Sequence, residues 1–316
     1  MEVGSVAPPG PAVADADAVP LPSGPAVIRE VRHPMQPVTQ SCRHRGRRLV
    51  YDVYGEGDRV LLYLHGLLLD SDLNRGIAEA VAAQGHRVVL LDLLGHGRSD
   101  KPTHASEYRI DAYADQVFAV LDDLGVAEAV LGGMSLGANV SLFAASRRPE
   151  RVRGLVLEMP VLEWAVPSAA MLFTPLLLLM HYGRGLVRWI GSGVRRVPRL
   201  PFDPVNSLLH AASTPPEVAA AILHGVLVGP VAPTQDERAR LETPTLVLAH
   251  RHDLIHPFSD ATALVAHMPH ATLVGARSPI ELRLRPDRLT DVIVDFTETV
   301  WRDSRRHRPI AAVPDR

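Results

Sequence analysis

The sequence predicts an α/β protein with a mostly parallel central sheet, helices on both faces and an inserted helical cap. Three observations carry this. Short, continuous apolar runs recur along the chain, amphipathic stretches with helical period separate them, and one long region breaks the alternation. The runs "VLLYLHG" (60–66), "HRVVLLD" (86–92), "EAVLGGMS" (128–135), "RGLVLEMP" (153–160), "TPTLVLAH" (243–250) and "ATLVGA" (271–276) have the pattern of strands buried on both faces. "RRLVYDVYG" (47–55) alternates like an edge strand. Between them, "IDAYADQVFAVLDDLGV" (110–126), "LGANVSLFAASRR" (136–148) and "PFSDATALVAHM" (257–268) read as helices. Residues 161–240 contain no buried-strand run but three helix-like segments, 171–180, 185–196 and 215–229, so they form the expected cap. Residues 41–160 and 241–303 are then the core. In such a sheet, active residues gather beyond the carboxyl ends of the strands.

Composition narrows the function. The 316 residues are 47% hydrophobic and 22% charged, ordinary for a globular chain with a large core. A net charge of −2, from 33 basic and 35 acidic residues, leaves no positive field for a phosphate backbone, so nucleic acid is not an expected partner. Cys42 is the single cysteine, which excludes an internal disulfide and a thiolate metal cluster and is consistent with a reducing cytosol. The expected location is cytoplasmic, with neither cofactor nor metal. Residues 1–40, rich in Pro, Ala, Gly and Val, read as a disordered leader rather than a secretory signal, and 304–316 as a flexible tail. The run "MLFTPLLLLM" (171–180) is shorter than the roughly 20 residues of a membrane span, and Pro175 interrupts it. It is expected to cover an apolar pocket for a small molecule, with weak membrane contact as the lesser role.

The strongest motif is "GGMSLG" (132–137), where Gly133 and Gly137 flank Ser135 at the join of a strand and a helix. Glycines at that spacing permit a sharp turn that lifts the hydroxyl off the sheet. The backbone N–H of Leu136, at the helix start, would face negative charge developing on a substrate oxygen. A second such donor is expected after another strand, and "YLHGLLLDS" (63–71) supplies the N–H of Leu67. Met134 and His65, flanking these groups, are expected to contact substrate, while His65 as a base is disfavoured because a histidine at such a turn is more often a structural hydrogen-bonding residue.

With "DLLGHGRSDKP" (92–102), these pieces resemble a capped α/β-hydrolase over residues 41–303. The resemblance implies Ser135 as nucleophile, Leu67 and Leu136 as the oxyanion hole and Asp253, in "TPTLVLAHRHDLIHP", as the acid of the triad. Ser135 also argues against the branches of the family that use an aspartate nucleophile. In the family a histidine follows the final strand. Here "LVGARSPIELRLRP" has Arg277 in that place, and a guanidinium with a pKa above about 12 cannot act as a base. If the loop kept the family geometry, Arg277 would approach Asp253 and could hold a substrate carboxylate or an oxyanion; otherwise it is a loop charge paired with Glu281.

Other histidines are candidates for the base. His250, His252 and His256 flank Asp253 at the correct end of their strand, and His256, three residues after the acid, is preferred. His96, His181, His210 and His224 are alternatives. Two functions remain open: a serine hydrolase or acyl-transfer enzyme for an ester, thioester or lactone with an apolar portion, using a relocated or weakened base, or a non-hydrolytic protein, a sensor, lyase or cyclase, using the same capped pocket.

Overall fold

A computed structural model describes residues 35–253 and 255–302. Two strands open the fold, β1 (Val38–His44) and β2 (Arg47–Tyr54), followed by β3 (Val60–Leu64), α1 (Arg75–Ala82), β4 (Arg87–Asp92), α2 (Ile110–Asp123), β5 (Ala129–Met134), α3 (Leu136–Arg147) and β6 (Val152–Glu158). A helical insertion comes next: α4 (Val166–Tyr182), α5 (Arg184–Val194), α6 (Asp203–Ser213), α7 (Pro216–Val228) and α8 (Gln235–Ala239). The chain then returns to β7 (Thr245–His250), α9 (Phe258–His267), β8 (Ala271–Ala276), α10 (Glu281–Leu284) and α11 (Asp287–Arg302).

The eight strands lie in the order β1-β2-β4-β3-β5-β6-β7-β8. β1 and β2 are antiparallel to each other, β2 is antiparallel to β4, and every later pair is parallel. This places β3 between β4 and β5, so that successive crossovers leave to opposite faces and a crevice opens at the carboxyl ends of β3 and β5. Parallel strands covered on both faces need continuous apolar runs, and β3 is buried at all five positions. One core layer packs under α2, α3 and α9, and the other under α1 and α11.

Three expectations change. Of the leader expected over 1–40, residues 1–34 lie outside the described residues, as does 304–316, while β1 already begins at Val38. The edge strands are β1 and β8: β2 sits one place inside and is buried from Leu49 to Tyr54, while "ATLVGA", expected to be buried on both faces, forms β8 at the far edge and buries only Leu273. Pro175 does not interrupt its helix. α4 runs through it for 17 residues, and the carbonyl of Met171, which Pro175 cannot bond, belongs to a residue 81% exposed and open to water. The sequence pattern did not single out α1 or α6.

Candidate active site

Ser135 lies between β5 and α3 with φ 53° and ψ −110°. A positive φ is costly for a residue with a Cβ, so the turn must be held by its neighbours. Backbone crowding explains both flanking glycines: a Cβ on Gly133 would stand 2.7 Å from the carbonyl carbon of Gly137, and one on Gly137 would stand 2.7 Å from the Cβ of Leu64. The Ser135 N–H donates to the Glu158 carbonyl at the end of β6 (2.8 Å), tying the turn to the next strand.

His256 reaches this hydroxyl. Its Nε2 is 3.0 Å from Ser135 Oγ, and its Nδ1 is 3.0 Å from Asp253 Oδ2. Both side chains are largely buried. A tight turn brings the pair together, because Asp253 Oδ1 accepts from the backbone N–H groups of Ile255 (2.8 Å) and His256 (3.0 Å) and folds the chain back onto its own carboxylate. Burial alone would raise the Asp253 pKa. Hydrogen bonds from the His256 ring, its charge, and the two backbone N–H groups outweigh that and hold the carboxyl at about 2. The imidazole therefore faces a carboxylate on one nitrogen and a hydroxyl on the other.

Leu67 and Leu136 line the same cavity as Ser135. As the first residue of α3, Leu136 has an N–H with no helical partner, and among the described residues neither its N–H nor that of Leu67 donates to another group. The cavity, about 120 Å³, is lined by apolar side chains apart from Ser135 and Asn139; Val166, Ala169, Ala170 and Phe173 of α4 form its roof. The insertion is thus laid directly over Ser135. Two polar ties set it there. Asp260 of α9 accepts from the N–H groups of Leu162, Trp164 and Ala165 (2.8–3.0 Å), and Asn139 Oδ1 accepts from the Val161 N–H (3.0 Å).

Three residues expected to contact substrate lie elsewhere. His65 is fully buried: Nδ1 meets the Gly66 carbonyl (2.8 Å), Nε2 accepts from the Leu93 N–H (3.1 Å), and burial keeps the ring neutral by lowering its pKa. His96 does the same for Leu68, accepting from its N–H (3.1 Å), so both imidazoles shape the loop that carries Leu67. Met134 does not line the cavity; its methyl packs over Gly66, and its sulfur lies 3.5 Å from Arg283. Arg277 is exposed. Its backbone N–H bonds Glu281, and among the described residues its guanidinium makes no ion pair, with Asp253 or with Glu281. Glu281 is claimed by Arg288 instead (2.9 Å).

Beneath the Ser135 turn lies a group the sequence pattern did not reveal. Arg283, on α10, forks onto both carboxylate oxygens of Glu158 (2.7 and 2.8 Å) and onto Asn74 Oδ1 (3.0 Å), while the Tyr63 hydroxyl donates to Glu158 (2.9 Å). Arg283 and Glu158 side chains are each only 6% exposed. The partners lie 125 residues apart in sequence, and no motif joins them.

Asp70, Asp72 and His210 form the one group among the described residues with metal-ligand spacing, their ligand atoms lying within 4.8 Å of one another. Asp72 is already held by Arg75 (2.8 Å) and Arg199 (2.9 Å), cations where a metal would need room. The cluster instead joins the insertion to the core, with His210 on Asp70 and Arg199 on Asp72. No single helix among the described residues is long and apolar enough to cross a membrane.

Residues 59–192 match the model of a family described as alpha/beta hydrolase fold. An uncharacterized protein of Mycobacterium tuberculosis is 27% identical over 306 residues, covering 86% of this chain and 84% of its own. A putative carbamate hydrolase of Stutzerimonas stutzeri is 29% identical over 204 residues, 60% of this chain and 72% of that protein. The crystal structure of the enol-lactonase from Burkholderia xenovorans superimposes with a TM-score of 0.65 at 22% identity, over 82% of this chain and 100% of the other. The strand order, the strained serine turn after β5 and these matches together make this chain an α/β-hydrolase-fold protein.

Proposed function

We propose that this chain is a serine hydrolase or acyl-transfer enzyme acting on an ester, thioester or lactone with an apolar portion. One observation carries the reading: the His256 ring bridges Ser135 Oγ and Asp253 Oδ2 at 3.0 Å on each side. In this reading Ser135 Oγ attacks the substrate carbonyl carbon as its proton passes to His256 Nε2. Asp253 orients the ring through Nδ1–H and stabilises the imidazolium. The oxyanion is received by the N–H groups of Leu67 and Leu136. His256 then returns the proton to the leaving group, and water or another acceptor, activated by the same nitrogen, releases the acyl group from Ser135. The apolar roof favours an apolar acyl part over a charged one. The carbonyl centres named for the lactonase and carbamate relatives agree with acyl chemistry. A base in hydrogen-bond reach of Ser135 supports full rather than weakened catalysis, with Arg277 outside the reacting group.

The test is a fluorophosphonate probe combined with turnover of a p-nitrophenyl ester. The probe should label Ser135, and Ser135→Ala should abolish both labelling and turnover. Unchanged turnover in the alanine variant would refute the proposal, and labelling without any turnover by the intact protein would favour a non-hydrolytic use of the pocket.

A further inference from the structure

The helical insertion has an outward face unlike the rest of the molecule. α4 has no buried residue, and α5 buries only Gly191. Met171 (81% exposed), Tyr182 (82%) and Trp189 (74%) stand in the open, together with Leu178, Leu179 and Leu186. α5 is amphipathic with its apolar side outward: Leu186, Trp189 and Ile190 share one flank, while Arg184, Arg188 and Arg195 recur on the other. Residues 164–202 contain five arginines and no acidic residue, in a chain whose net charge is −2. Arg184, Arg195 and Arg196 form no ion pair among the described residues.

We propose that this face docks on an anionic lipid bilayer, with α4 and α5 lying at its surface. The charge selects the occupant. Exposed Trp, Tyr, Leu and Met beside unpaired arginines match an interface of acyl chains and anionic headgroups, where the rings sit at headgroup depth and the guanidinium groups meet phosphate. A second copy of the chain seated on the same face would oppose arginine to arginine. α4 and α5 meet at 95°, and neither is long enough to cross the bilayer, so the contact is peripheral. The opposite side of α4 roofs the cavity at Ser135, so one helix touches both the lipid surface and the pocket. Docking does not depend on the chemistry proposed for Ser135.

The experiment is co-sedimentation of the full chain with vesicles of phosphatidylcholine containing about one-third phosphatidylglycerol, compared with pure phosphatidylcholine, at low and high salt. Binding is expected on the anionic vesicles, with a blue shift of tryptophan fluorescence, and should weaken as salt screens the arginines. Met171→Glu with Trp189→Glu, and separately Arg184→Glu with Arg196→Glu, should each weaken partition by at least about tenfold. These exposed residues do not line the cavity or the core, so each variant should keep the far-UV circular dichroism and the urea unfolding midpoint of the unaltered protein, which shows that it is folded. Absence of binding to anionic vesicles at low salt would overturn the proposal. So would binding that both variants retain, or a lipid-independent dimer that Met171→Glu with Trp189→Glu dissolves, which would assign the face to a protein contact.

Discussion

α3 and α4 bound the same cavity from opposite sides, and both are apolar, yet they are held in opposite ways. α3 is buried at every position from Leu136 to Ala145, and the turn before it is clamped by strand, glycine contacts and ion pair. α4 has no buried residue and is tied to the core by polar contacts at its start and by neighbouring helices. The floor of the site is over-determined, whereas the roof is attached. Perturbing the floor should therefore damage chemistry and stability together, and perturbing the roof should change access or attachment with little cost to the core.

The largest effect is expected at the loop after β7, which brings His256 to Ser135 from outside the clamped floor. His256→Ala should lower ester turnover by about 10²–10⁴-fold, the usual worth of a general base, without moving the denaturation midpoint much. His252→Ala, on an exposed residue of the same loop, should stay within about twofold of the unaltered protein if the base is specific to His256. Equal losses in the two variants would show that the loop, not the imidazole, is what matters.

Next comes the buried ion pair. Arg283→Met leaves the Glu158 carboxylate without its guanidinium and should cost about 3–5 kcal/mol in urea unfolding. Tyr182→Ala, on the exposed face of the roof, should fall within about 0.5 kcal/mol of zero. A large loss at Tyr182 would mean that the roof is a cooperative part of the core.

A smaller, pH-dependent effect belongs to the seam between the two. The hydrogen bond to Asp70 raises the His210 pKa above its ordinary value, against burial, which lowers it. A raised folded value means that this tie is fully present below the unfolded histidine value of about 6.5 and is lost as pH rises through the folded one. With His210 more than half exposed, the contribution is on the order of a few tenths of a kcal/mol. Protease cleavage within residues 195–215 should accelerate as pH climbs through that window, and His210→Ala should flatten the response. The smallest effect is expected at Arg277→His. With His256 already on Ser135, turnover should change by less than about twofold; a tenfold gain would mean that the residue after β8 competes for the role of base.

Much of this was legible in the sequence. Doubly covered parallel strands such as β3 must be continuously apolar, and the serine turn shows itself because only glycine fits at 133 and 137. His256 could be named among three histidines at the right end of β7, but the choice is made by Asp253 drawing the backbone of Ile255 and His256 around itself, a local fold that composition does not encode. The condition for Arg277 to approach Asp253, a loop with the family geometry, is not met: Glu281 takes Arg288 and the Arg277 backbone N–H, and the Arg277 guanidinium is left in solvent. The Arg283–Glu158 pair is invisible to pattern because its members lie 125 residues apart. The run 171–180 reads from its residues alone as the cover of an apolar pocket; only the finished packing shows how much of the outer side of α4 has nothing against it.

The turn from Asp253 to His256 has a consequence for inheritance. In the family arrangement acid and base ride on separate loops, after two different strands, so every change in how the last strand docks is tested at the reacting atoms. Here both groups travel on one turn after β7, and their spacing is a property of that turn. If Ser135, His256 and Asp253 act as proposed, the segment from β8 onward carries no catalytic duty and answers only to packing, chiefly through Arg283. Residues 277–280, where a histidine would otherwise be indispensable, become open ground on which substitutions can accumulate without silencing the site.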